Sequence, residues 1–213
     1  MTDPTRPQRL EAACEALPLV AILRGLRPEE AVEIAQALFD AGFRLIEIPL
    51  NSPEPFDSIA AVRKALPAEA LVGAGTVTTL ADVARLDEIG ADLVVMPHAD
   101  TAVIAAAKVA GMICIPGIAT PTEAYAALNA GADALKVFPA ELVGPAAVKA
   151  IRTILPAGTR LFPVGGIAPD TMGPFRSAGV AGFGLGSALY SPGDTVEAVS
   201  DKAARFVIAW QEG

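Results

Sequence analysis

The feature that most constrains this chain is a punctuation pattern that returns along its length. An amphipathic stretch is closed by a glycine, a short loop follows, and a brief apolar run begins. Gly42, Gly90, Gly111, Gly131 and Gly179 each end a helical pattern in this way. Glycine at that place takes the left-handed conformation that stops a helix without steric cost. The spacing predicts strands at 19–24, 45–50, 71–76, 93–96, 112–115, 134–140, 160–164 and 181–185. Between and after them it predicts helices at 28–41, 53–66, 80–89, 101–110, 121–129, 145–155, 169–178 and 195–211. Eight β/α units without a composition break fit one domain over residues 1–213, an α/β fold of the (β/α)8 TIM-barrel type. Residues 1–17 are expected to form a loose arm, to Pro7, and a short helix from Gln8 to Ala16. An open doubly wound sheet is the rival, but no Gly-x-Gly-x-x-Gly follows the first strand.

Composition narrows the function classes. Hydrophobic residues make up 53% of the 213 and charged residues 19%, enough for a large core. A formal net charge of −8 argues against nucleic acid or an acidic membrane as partner. The two cysteines, Cys14 and Cys114, lack zinc-ligand spacing and are expected to be reduced and buried. His98 is the single histidine, too few for the ligand cluster of a metal-dependent barrel, so metal catalysis is not expected. The first residues carry no apolar targeting segment, and no stretch is long and apolar enough to span a bilayer. A cytoplasmic protein is the default expectation.

The run Ala134-Leu135-Lys136-Val137-Phe138-Pro139-Ala140 reads as a buried strand with one charge in its middle. Alternation sets Leu135 and Val137 on one face and Ala134, Lys136 and Phe138 on the other. A buried ammonium must be paired, reach solvent or lose its proton, and the last state is the nucleophile of carbonyl chemistry. The plainer reading is a lysine with a buried stem and a solvated head. Glu47, between Ile46 and Ile48, is sent by the same alternation toward the axis of a barrel. Glu47 and Lys136 are then either a buried ion pair or an amine nucleophile with a carboxylate to move its protons. In a barrel, active sites lie at the C-terminal strand ends, where Arg24, Asn51, Thr76 and His98 also fall.

Phosphate has its own signal. Gly165-Gly166-Ile167 follows the seventh strand, and Gly184-Leu185-Gly186-Ser187 spans the end of the eighth. Such loops admit an anion to the backbone N–H groups, and Ser187 adds a hydroxyl. Two tight turns are the alternative. Arg24 is either a clamp for carboxylate or phosphate or a rim charge. Thr76 either bonds a carboxylate or only closes its strand. His98 is expected at the site edge, and Trp210 in core or subunit contact.

Jointly, Gly73-Ala74-Gly75-Thr76-Val77, Pro116-Gly117-Ile118-Ala119-Thr120, Lys136-Val137-Phe138-Pro139-Ala140 and Pro163-Val164-Gly165-Gly166-Ile167 resemble the class I aldolases that cleave 2-keto-3-deoxy-6-phospho sugar acids. The resemblance covers nearly the whole chain. It implies that Lys136 forms a Schiff base with the substrate's keto carbon and that Glu47 shuttles protons. It implies phosphate at Gly165, Gly166, Gly186 and Ser187, and substrate contacts at Arg24 and Thr76. The segment Glu47-Ile48-Pro49-Leu50-Asn51-Ser52-Pro53 looks like the phosphogalactonate branch. The phosphogluconate branch more typically has Thr and Arg at the positions of Pro49 and Asn51, and threonine at that of Val164, which bears on C4 stereoselectivity. The resemblance further implies pyruvate and glyceraldehyde 3-phosphate as products, no cofactor, and a homotrimer. Gluconate or dual specificity remains open, as do a phosphosugar epimerase or isomerase and a non-catalytic phosphosugar-binding barrel.

Overall fold

Short apolar runs flanked by turn residues become parallel strands, because each run can bury both faces only between an interior and a layer of helices. A computed structural model describes residues 5–212 of the chain. The strands are β1 (Leu19–Ile22), β2 (Leu45–Pro49), β3 (Leu71–Gly75), β4 (Leu93–Val95), β5 (Ile113–Ile115), β6 (Gly117–Ile118), β7 (Leu135–Val137), β8 (Leu161–Pro163) and β9 (Phe183–Leu185). The helices are α1 (Arg6–Ala16), α2 (Pro28–Asp40), α3 (Pro55–Ala65), α4 (Leu80–Glu88), α5 (Thr101–Val109), α6 (Pro121–Asn129), α7 (Ala140–Ile154), α8 (Met172–Ser177) and α9 (Val196–Glu212). A short 3-10 turn, Pro169–Thr171, precedes α8.

All strand pairing is parallel, in one sheet of order β5-β4-β3-β2-β1-β9 and a second of order β6-β7-β8. The expected fifth strand, 112–115, is β5, and a short strand that was not foreseen, β6, follows beyond Pro116, which has no N–H to give to a ladder. β5 pairs with β4 and β6 with β7. Across that seam Lys136 N–H donates to the Pro116 carbonyl at 2.9 Å and Asp133 N–H to the Cys114 carbonyl at 3.0 Å. At the other seam a parallel bridge joins Val164 to Gly184, and Ala181 N–H donates to the Leu161 carbonyl at 3.0 Å. Gly117 has no room for a side chain, because a Cβ there would strike the Pro97 carbonyl on the strand-four side.

Two apolar layers follow from the period of two. Ile46, Ile48, Leu135 and Val137 join the outer layer under the helices. Val20, Leu45, Leu71, Leu93, Ile113, Ala134 and Phe162 form an inner cluster, which Leu10 and Ala13 of α1 also enter. The first helix therefore covers the N-terminal ends of the strands. Beneath it Asp92, 4% exposed, accepts from Arg9 Nη1 at 2.8 Å and Arg63 Nη1 at 2.9 Å, with Arg6 Nε at 3.5 Å.

Several boundaries differ from expectation. The arm was expected to run to Pro7, yet α1 starts at Arg6, because Thr5 and Gln8 form a reciprocal cap and proline is tolerated in a first turn. Residues 1–4 of that arm lie outside the described residues. The seventh helix starts at Ala140 rather than Pro145, and it bends at Gly144, whose φ of +69° breaks the helix just before Pro145. The first strand stops at Ile22, which leaves Arg24 in the following loop. Cys114 is buried and free as expected, whereas the free thiol of Cys14 on α1 is only half-buried, packed against the inner cluster.

Candidate active site

Strand alternation brings Glu47 from β2 and Lys136 from β7 to one place. Both line a cavity of about 10 Å³ inside the curled sheet, with Val164 and Gly184 among its other walls. Glu47 is 1% exposed and Lys136 7%. So small a cavity means a packed interior, and reacting atoms must sit above it at the C-terminal mouth. Gly75 makes the packing possible, since a Cβ there would run into the Glu47 carboxylate.

Electrostatics favours the neutral forms of both groups. Burial pushes the Glu47 carboxyl up from 4.5 to about 7, against the opposing pull of Lys136 and Arg24. Burial also lowers the Lys136 ammonium from the ordinary 10.5; Glu47 opposes this and Arg24 adds to it. Glu47 Oε2 is buried without a hydrogen-bond partner. Such an acceptor is costly for stability and available to a proton donor from substrate. Lys136 Nζ lies 4.6 Å from the centroid of the Phe138 ring, a contact that covers one side of the amine.

The remaining expected residues ring the same end. Arg24 is exposed and its Nη1 donates to Asn51 Oδ1 at 2.7 Å. The neighbouring Gly25 N–H donates to Ser52 Oγ at 2.9 Å, so the loop after β2 supports the loop after β1. Thr76 is half-buried with φ +58°, a conformation that a β-branched residue adopts only under strain. His98 is exposed in the loop after the fourth strand. Gly165 and Gly166 have φ of +110° and +64° and so turn the chain sharply after β8. Among the described residues, the N–H groups of Gly166, Ile167, Gly186 and Ser187 have no hydrogen-bond acceptor. Trp210 is away from this end, packed edge-on against Phe183 at 6.2 Å with Arg176 over its ring. Asn51's bond to Arg24 and Phe138's cover of Lys136 were not foreseen, although parity had put Phe138 on the lysine's face.

A buried amine and a desolvated carboxyl below the mouth of a parallel sheet are groups that could serve carbonyl chemistry, and the chain belongs to the KDPG and KHG aldolase family, whose model matches residues 10–200. It is accordingly an aldolase, a carbon–carbon lyase. It is 48% identical over 193 residues to the probable 2-dehydro-3-deoxy-6-phosphogalactonate aldolase of Rhizobium meliloti (strain 1021), covering 91% of each chain. It is 47% identical over 196 residues to the 2-dehydro-3-deoxy-6-phosphogalactonate aldolase of Escherichia coli (strain K12), covering 92% of this chain and 96% of that one. A solved structure described as native KDPGal superposes with a TM-score of 0.90 at 47% identity, over 92% of this chain and 95% of that one.

Among the described residues, no three His, Cys, Asp or Glu side chains cluster so as to hold a metal ion. No described helix is long and apolar enough to cross a membrane.

Proposed function

We propose that this aldolase cleaves 2-dehydro-3-deoxy-6-phosphogalactonate to pyruvate and D-glyceraldehyde 3-phosphate through a Schiff base on Lys136. The observation that carries the reading is the shared cavity of Lys136 and Glu47, each pushed toward its neutral form by burial. The relatives in two organisms that bear this activity in their names, at 47–48% identity, support the choice of substrate.

The chemistry runs as follows. The unprotonated Lys136 amine attacks C2 to give a carbinolamine, and Glu47 supplies the proton with which the hydroxyl leaves as water. The resulting iminium is the electron sink. Glu47, now a carboxylate, takes the C4 hydroxyl proton; the C3–C4 pair moves into the iminium, and the aldehyde departs. The enamine left on Lys136 gains a proton at C3, and water then hydrolyses the iminium to release pyruvate. Arg24 holds the substrate carboxylate or phosphate and is itself held by Asn51. Thr76 offers a hydroxyl at the mouth. The free N–H groups at Gly166 and at Gly186-Ser187, with the turn at Gly165, receive the phosphate. Val164, 9% exposed beside the cavity, gives no hydroxyl near C4 and bears on the stereochemical preference. No metal or organic cofactor enters this chemistry.

In the same reading the two sheets complete one eight-unit ring through the seams at Pro116 and Val164, as a single domain. The protein is cytoplasmic and assembles as a homotrimer. Leu142 on α7, 84% exposed, is an apolar side chain that a subunit contact would cover. Light scattering tests the trimer.

The central test is chemical. Incubation with pyruvate followed by borohydride should add one reduced pyruvate to the tryptic peptide that contains Lys136. An unmodified peptide removes the Schiff-base reading. Initial rates on the galactonate and gluconate substrates, measured together, test the C4 assignment.

A further inference from the structure

We propose that Glu141 is an internal competitor for the phosphate cradle, a carboxylate lying across Gly165 and Gly166 that the substrate's phosphate must displace. The inference rests on the phosphate assignment made above. A Cβ built on Gly165 would collide with the Glu141 carboxylate, and one built on Gly166 with its Cγ and Cδ. The side chain therefore lies flat over both glycines, and their lack of side chains is what admits it. The backbone brings Glu141 beside the two glycines, since Ala140 N–H donates to the Val164 carbonyl at 2.9 Å and ties the start of α7 to the end of β8.

A carboxylate in a first helical turn is favoured by the helix dipole, which gives Glu141 a reason to rest there. Nothing locks it in place. Among the described residues neither of its oxygens accepts a hydrogen bond, so it lies against the two glycines and leaves the nearby Gly166 and Ile167 N–H groups free. A phosphate bound to those groups would sit a few ångströms from this charge, and at this exposed site the two anions repel modestly, the more so the lower the salt. Glu141 must swing outward when a phosphorylated substrate enters, and its return helps to expel the phosphorylated aldehyde. A keto acid without phosphate does not contest the cradle and should not sense the charge.

Glu141→Gln keeps the shape and removes the charge. For this variant, the inhibition constant of inorganic phosphate and the KM of the phosphorylated substrate should both fall by about threefold to tenfold. The KM of the dephosphorylated keto acid should stay where it was. Calorimetric titration of inorganic phosphate into wild type and variant reads the cradle without catalysis. Equal or weaker phosphate binding by the variant overturns the proposal, and so does an equal KM change for both substrates, which would mark a merely structural role. If wild-type protein forms no borohydride-trapped pyruvate adduct, the aldolase mechanism has failed instead, and the calorimetric comparison still decides the role of Glu141.

Discussion

The two ends of the curled sheet each bury a carboxylate and treat it in opposite ways. At the N-terminal end Asp92 is 4% exposed, and Arg9, Arg63 and Arg6 crowd it while Val72 N–H donates to it at 3.3 Å. At the C-terminal end Glu47 is 1% exposed, yet its Oε2 has no partner and its neighbour Lys136 is itself desolvated. Removing a charge from water is tolerated when partners replace the water, as they do at Asp92. Where partners are withheld, the group titrates near neutrality and can exchange protons with a substrate, as at Glu47. One end closes the fold, and the other gives up stability at two groups that burial holds toward their neutral forms.

The largest effect should come from Lys136→Met. Cleavage measured by pyruvate release should fall by roughly 10⁴-fold or more, because the proposed mechanism has no other nucleophile. The same variant should gain stability near neutral pH, since it removes a desolvated ammonium. The folded value of Lys136 lies below the ordinary 10.5, so the unfolded chain holds more protons in the intervening window. Wild-type stability therefore rises with pH there, and the Met variant should lack that slope in chemical denaturation. An active variant, or a much less stable one, breaks the contrast.

Glu47→Gln should lower turnover by about 10²- to 10⁴-fold. Here the sign is reversed: the folded value of Glu47 is raised from 4.5 to about 7, so its contribution to stability is complete below 4.5 and is lost as pH rises through about 7. Thermal melts across that window should decline for wild type and decline less for the Gln variant. Equal slopes would mean that Glu47 is compensated as well as Asp92 is.

Asp92→Ala tests the other end. It should cost about 3 kcal/mol in urea unfolding, because three arginines lose a shared partner. Its kcat/KM, measured where the protein is still folded, should change little. A large loss of turnover would show that the ends are not separable. The smallest effect belongs to Val164→Thr, which should shift the ratio of rates on the two C4 epimers by about fivefold, roughly the worth of one added hydrogen bond.

The local rules were legible in the chain. Capping glycines counted out the β/α units, and alternation alone sent Glu47 and Lys136 inward, Ile46, Ile48, Leu135 and Val137 outward. The same rules misjudged places where local preference meets a neighbour. The short strand β6 after Pro116 was missed, because it is held by pairing with β7 rather than with the β4 that β5 joins. The seventh helix began early because the Ala140 N–H is held by Val164.

What sequence determined by itself was periodicity: where strands recur, which face each residue takes, and that one lysine and one glutamate share an interior. Those depend on residues a few positions apart. Tertiary structure alone decided how each charge is compensated. Arg9 reaches Asp92 across 83 positions and Arg24 meets Asn51 across 27, while Glu141 lies over Gly165 and Gly166 from another element. Electrostatic energy depends on distance in space and access to water, and neither is written in the order of residues.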